Sequence, residues 1–190
     1  MGADRGLGEG ALEERHEPLL HRYRQPALRT EAFNHVGQDV GEQDLVAKAL
    51  LAHHERTGET IRLVNASAVG YYGDRGEEHL TETSAPGQDY LSGVVVRWEG
   101  AAQPAVDAGL PVAFVRTGLV MAHQGGAFEQ VVLLGRLGLG GPMASGREWW
   151  PWITLVDEVR AILHLIDRPE LVGPFNLASP GCARQREIAS

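Results

Sequence analysis

The stretch Leu63-Val64-Asn65-Ala66-Ser67-Ala68-Val69-Gly70-Tyr71-Tyr72-Gly73-Asp74 decides how this chain is read. An apolar run over residues 61–64 leads into it, with Arg62 near its start, and suits a parallel strand covered on both faces. The strand stops on a small hydroxyl residue, Ser67, and breaks into a Tyr-Gly turn. In open α/β sheets, ligands sit outside the carboxyl ends of strands. A hydroxyl at such an end can hydrogen-bond a ligand hydroxyl or carbonyl, or it can satisfy a local turn amide.

Working outward, helical and strand patterns alternate. Residues 42–56 read as a helix with Leu45, Val46, Ala49 and Leu50 on one face and Gly58 as a stop signal. Residues 89–108 read as an uneven helix whose stripe is Leu91, Val94, Val95, Trp98, Ala102 and Ala105. Pro104 should kink or end it. Residues 112–115 form the next buried strand, and 128–137 read as helical. Residues 155–166 give the most regular helix, with Val156, Val159, Leu163 and Ile166 inward. A last strand follows at 175–177. The alternation predicts an α/β fold with a parallel sheet and flanking helices. Residues 1–40, rich in Gly, Arg, Glu and His and interrupted by Pro18 and Pro26, show neither period. They are expected to be irregular, which divides the chain into 1–40 and 41–190.

Composition narrows the function. A chain of 190 residues suits one domain with a real core. A formal charge of −8 argues against a nucleic-acid surface, which calls for a basic stripe. The single Cys182 excludes an intrachain disulfide and fits a reducing cytosol. No run approaches the ~20 apolar residues of a membrane span, and no apolar N-terminal region suggests a signal peptide. A cytoplasmic protein without membrane contact is the expectation. The histidines show no metal-ligand spacing, because neighbours such as His53 and His54 point apart on a helix. No Gly-x-Ser-x-Gly elbow is present.

Three groups of residues can carry chemistry. Tyr71, Tyr72 and Tyr90 are phenols, and a phenol needs a nearby cation or cofactor to exchange protons near neutrality. Arg116-Thr117-Gly118 ends a strand and so also faces the sheet's ligand edge. Arg147, Trp149, Trp150 and Trp152 combine a guanidinium suited to carboxylate or phosphate with flat rings suited to a sugar or base. The plain reading of the last group is a lid packing its aromatic rings on the core.

These pieces also follow one another in a known order. After the opening stretch come Leu80-Thr81-Glu82-Thr83-Ser84-Ala85-Pro86, Asp89-Tyr90, and Val112-Ala113-Phe114-Val115-Arg116-Thr117-Gly118. Next are Gly138-Leu139-Gly140-Gly141-Pro142, Ser145-Gly146-Arg147-Glu148-Trp149-Trp150-Pro151-Trp152-Ile153, Asp157-Glu158-Val159-Arg160-Ala161-Ile162 and Gly173-Pro174-Phe175-Asn176-Leu177-Ala178. The series, roughly residues 45 to 188, resembles the catalytic half of extended short-chain dehydrogenases, closest to their atypical branch of nucleoside-diphosphate-sugar epimerases. The resemblance implies a Rossmann-like sheet and an NAD(P)-dependent oxidoreductase or epimerase that passes a hydride at a carbinol or carbonyl carbon. It implies that Ser67 faces a small-molecule substrate, with Tyr90 or its rival Tyr71 exchanging the proton. Ala66, Arg116, Thr117 and Gly118 would meet the cofactor, with NADP slightly preferred over NAD and no metal. Arg147, Trp149, Trp150 and Trp152 would form the substrate wall.

Two features depart from the family pattern. Family members carry a Gly-x-x-Gly-x-x-Gly turn between a strand and a helix that holds the pyrophosphate. Here the early glycines are Gly6-Leu7-Gly8-Glu9-Gly10, without an apolar strand before them and with Glu9 where a phosphate would lie. The chain is therefore expected to lack the N-terminal dinucleotide unit and to bind cofactor weakly or not at all. The other departure is lysine. Lys48 stands alone, so a Tyr-x-x-x-Lys dyad is impossible: residue 44 is Asp44, and Val94 follows Tyr90 by four. Arg97 lies two helical turns beyond Tyr90, roughly 10 Å, too far to pair with it. The alternative is a catalytically silent partial domain that packs against a partner or a second copy through an unpaired sheet edge.

Overall fold

The computed structural model describes residues 40–122 and 145–188. The helix expected over 128–137, the glycines of 138–142 and the early glycine cluster lie outside these residues. In chain order the elements are α1 (Val40–Thr57), β1 (Leu63–Ala68), a 3-10 turn (Val69–Tyr72), α2 (Tyr90–Ala101), α3 (Gln103–Asp107), β2 (Val112–Thr117) and β3 (Leu119–Met121). Then come β4 (Trp149–Trp150), β5 (Trp152–Thr154), α4 (Leu155–Asp167), β6 (Gly173–Leu177), β7 (Ala183–Arg184) and α5 (Gln185–Ile188).

The central sheet has the order β1-β2-β6, all parallel. The register places Ser67 beside Arg116 and Arg116 beside Asn176, and on the opposite face Ala68 beside Thr117 and Thr117 beside Leu177. Each face buries its own core. On one side Val112 and Phe114 pack with Leu63 against Ala47 and Leu50 of α1 and Ala102 and Ala105 around α3. On the other, Ala113, Val115 and Leu177 pack with Val64 and Phe175 against Ala161, Ile162 and Leu165 of α4. The result is a helix–sheet–helix sandwich, the arrangement that parallel strands require. Smaller pairings flank it: β3 runs parallel to β5, and β4 antiparallel to β7.

Pro104 acts as read. The helix breaks at Ala102 and restarts with Pro104 in the first turn of α3, where its missing N–H costs nothing. The strands run further than their apolar cores suggested, because β1 and β2 each continue through polar residues to Ala68 and Thr117.

The inward faces of the helices need correction. On α1, Leu45, Val46 and Ala49 are exposed, and Ala47 is buried instead, with Leu50 half-buried. On α2, Leu91 is 67% exposed, while Val95 and Ala102 are buried. On α4, Val156 and Ile166 are exposed, and the inward positions are Glu158, Ala161, Ile162 and Leu165. That set has the i, i+3, i+4, i+7 spacing of one helix face. It begins with a carboxylate, a side chain seldom fully buried without a partner, so apolar periodicity does not single it out.

At the junction of the sheets, Gly118 donates to Leu177 O at 3.0 Å and Leu119 donates to Pro151 O at 2.7 Å. A Cβ on Gly118 would lie 2.3 Å from Pro151 O, so the backbones cross closer than a side chain permits.

Candidate functional site

Ser67, Arg116 and Asn176 stand in one row across the three strands, on the face covered by α2. A charge network joins them. Arg116 donates from Nε to Glu99 Oε1 at 2.8 Å and from Nη2 to Glu99 Oε2 at 2.9 Å, a two-pronged pair between β2 and α2. Ser67 Oγ donates to Glu99 Oε1 at 2.6 Å. Arg116 Nη1 donates to the Tyr72 hydroxyl at 2.8 Å and to the Glu82 carbonyl at 3.3 Å. Tyr72 in turn donates to Asn176 Oδ1 at 2.6 Å, and the Asn176 amide donates to Glu82 Oε1 at 2.9 Å.

Arg116 is only 3% exposed, so this charge is buried and must be paired. Burial alone would pull the guanidinium's pKa down, but the bonds to Glu99 and Tyr72 outweigh it and hold the pKa above its ordinary value. The same cation lies over the Tyr71 ring, 3.5 Å from its centroid, and 5.1 Å from that of Tyr72. A cation over an aromatic face is attracted by the ring quadrupole.

The expected site residues are placed as follows. Ser67 is buried, 7% exposed, with its proton directed to Glu99. Tyr71 is half-buried under the guanidinium. Tyr90 is 80% exposed as the first residue of α2. The residue before it, Asp89, caps that helix by accepting from the Ser92 amide at 2.8 Å, and the bonds from Ser92 hold its carboxyl below the usual range. A Cβ on Gly73 would lie 2.6 Å from Asp89 Oδ2, so the start of α2 is tucked beside the turn that ends β1. Ala66 is exposed between buried Asn65 and Ser67. Arg116 spends its donors inside the protein, Thr117 Oγ1 donates to Glu158 Oε1 at 2.7 Å, and the Gly118 amide bonds Leu177.

The tryptophan segment forms a separate cluster. Trp149 in β4 is stacked under Arg184 of β7, 4.4 Å from guanidinium carbon to ring centroid. Arg184 also donates to the Arg147 carbonyl and, at 2.6 Å, to Glu77 Oε1, which holds the Glu77 carboxyl below the usual range. Trp150 is half-buried, and Trp152 donates its indole N–H to Gly181 O at 2.9 Å. A cleft of about 470 Å³ lies between α4 and β6, lined by Ile153, Ala161, Leu165, Phe175 and Leu177 with Asp157 and His164; none of the expected site residues lines it. Among the described residues no group of three His, Cys, Asp or Glu side chains is placed to hold a metal. No described helix is long and apolar enough to cross a membrane.

Glu99, Asn176, Glu82 and Glu158 were missed by sequence reasoning. One signal was available for Glu99. It lies four residues after Val95 and three before Ala102, inside the apolar stripe, and a carboxylate at an inward helix position implies a buried partner. Glu158 repeats the pattern on α4. It is 7% exposed, Oε1 accepts from Thr117, and Oε2 has no partner among the described residues. Burial pushes its carboxyl up from the ordinary value of 4.5, with the Thr117 bond pulling the other way. A raised carboxyl favours the fold most below its unfolded value and loses that contribution as pH rises through the raised one. Glu158→Gln is therefore expected to match wild type at pH 4 and to be more stable by about 1 kcal/mol at pH 8, the scale of one unsatisfied buried group. Thermal midpoints at the two pH values check this, and a pH-independent difference would refute it.

No family model matches the chain. Known proteins do. An epimerase family protein of Mycobacterium bovis is 40% identical over 128 residues, 67% of this chain and 42% of that protein. A nucleoside-diphosphate sugar epimerase from Corynebacterium glutamicum superposes with a TM-score of 0.70 at 30% identity, covering 100% of this chain and 35% of its own. The human epimerase family protein SDR39U1, solved with NADPH, gives 0.71 at 29% identity, covering 87% of this chain and 55% of its own. The chain thus spans less than half of the curated relative's length.

Proposed function

From the match of this chain to the epimerase family of short-chain dehydrogenases, we propose that it forms the substrate side of an NAD(P)-dependent oxidoreductase or epimerase. The observation that carries this is the pair of parallel strands β1 and β2 ending side by side, with Ser67 and Arg116 in register on one face and Ala66 exposed on the other. Ligands of such sheets lie at the carboxyl ends of the strands.

The described residues fit the nicotinamide half of a dinucleotide. A flat ring can rest on Ala66 without displacing a larger side chain. Arg116 and the Thr117 hydroxyl are committed to internal partners, which leaves Ala66 as the contact of that set. No short glycine turn joins a strand to a helix N-terminus among the described residues, so nothing described would seat the pyrophosphate. When bound, the nicotinamide supplies the hydride donor or acceptor. Ser67 holds the ligand oxygen. Tyr90, exposed at the start of α2 beside the turn that follows β1, is freer to exchange a proton with a ligand than Tyr71, whose face is covered by Arg116. Arg147 and Trp149 stand as candidates for the substrate wall.

NADPH is the form to test first, since the human relative was solved with it. Titrated into isotope-labelled full chain, it is expected to shift the amide signals of Ala66 and Ala68 saturably at millimolar concentration. No shift at those residues would overturn the reading. In a screen of secondary alcohols and nucleotide sugars followed by reduction of NADP+, Ser67→Ala should lower turnover by about 10²-fold, the scale of one oriented hydrogen bond. Cofactor affinity should not change. Wild-type kcat in that variant would remove Ser67 from the mechanism.

A further inference from the structure

Ser67 has one proton, and its destination is visible. The Oγ lies 2.6 Å from Glu99 Oε1, and Glu99 takes two further bonds from Arg116 in the geometry of a carboxylate–guanidinium pair. A carboxylate accepts and cannot donate, so Ser67 is the donor in this bond. The proton also stays on Ser67. Passing it to Glu99 would leave the Arg116 guanidinium, 3% exposed, without its counter-charge, and an unpaired buried charge is strongly unfavourable. What remains to Ser67 is its lone pairs, and among the described residues no group donates to them.

We propose that Glu99 locks Ser67 as a hydrogen-bond acceptor, so that the strand-end site takes ligands presenting a hydroxyl or amide N–H there and discriminates against the matching carbonyl. This rests on the reading of Ser67 as a ligand contact. It narrows the sequence expectation, in which a strand-end hydroxyl could bond either group. It also has a chemical consequence. When a carbinol loses hydride and proton and becomes a carbonyl, it loses its donor and with it the bond to Ser67, so the site holds the reduced ligand in preference to the oxidised one. The proton leaves through another group, and Glu99 is a positioning residue.

The test uses cyclohexanol and cyclohexanone, titrated separately into isotope-labelled full chain while the amide signals of residues 66–70 are followed. Cyclohexanol is expected to bind about tenfold more tightly, the scale of one hydrogen bond. Ser67→Ala should erase the difference and Ser67→Thr, which keeps the hydroxyl, should retain it. Glu99→Gln presents an amide that can donate to Ser67 and turn its proton outward, so the preference should shift toward the ketone. If that variant does not fold, the two Ser67 variants still decide. Equal affinity of wild type for both probes would overturn the acceptor assignment and leave the strand-end site standing. No shift from either probe would remove both, since the strand end would then take no ligand of this class.

Discussion

Glu99→Ala is expected to destabilise the fold by about 3–5 kcal/mol, the cost of stripping one partner from a buried ion pair. Glu99 receives two bonds from Arg116 and one from Ser67, and so ties α2 to the ends of β1 and β2. Without it, the guanidinium keeps Tyr72 and the Glu82 carbonyl as neighbours but has no negative charge beside it. The argument concerns the orphaned charge more than the lost bonds, and this gives a control. Glu99→Ala combined with Arg116→Met removes both charges and fills the space with an apolar chain. The double variant should be more stable than Glu99→Ala alone, a departure from additivity that only coupled residues show. Tyr72 keeps its bond to Asn176 in either background. Urea unfolding midpoints measure both variants. A loss under about 1 kcal/mol for Glu99→Ala would place the pair among ordinary surface salt bridges, contrary to its burial.

Gly118→Ala is the second large effect, at about 3 kcal/mol, the upper end of the overpacking range. The added carbon would lie 2.3 Å from Pro151 O, 3.1 Å from Pro151 C and 3.2 Å from Leu177 O. All three are main-chain atoms, so no side chain can swing aside. Relief requires moving the strand junction, where the Gly118 amide bonds Leu177 and the Leu119 amide bonds Pro151. A thermal midpoint lowered by several degrees is expected. An unchanged midpoint would mean that β3 and β5 can shift independently of the central sheet.

The parallel α/β class and the order of elements were legible because strand and helix patterns alternate and Pro104 marks its own break. Strand-end placement was legible too, since Ser67 and Arg116 each close an apolar run, and the structure puts them side by side. The helix faces were not. Hydrophobic periodicity assumes that inward positions are apolar, and both α2 and α4 place a glutamate there because a partner on β2, Arg116 or Thr117, receives it. Such pairing spans 17 residues in one case and 41 in the other, and single-sequence patterns carry no information about it. On α1, the small Ala47 is buried against Val112 and Phe114 while the larger Leu45 is 68% exposed, so side-chain size and not hydrophobicity alone selects the inward position. Size complementarity of that kind belongs to the assembled layers and not to any one of them.

The outer side of β6 carries one more consequence. Alternate amides of this strand point away from β2; one belongs to Pro174, which has no N–H, and the next, at Asn176, is already taken by Glu82. A foreign strand arriving there would find no donor to zip onto. Two residues thus withdraw two successive donors from that side of the described sheet, the kind of blunting by which edge strands resist pairing with another chain.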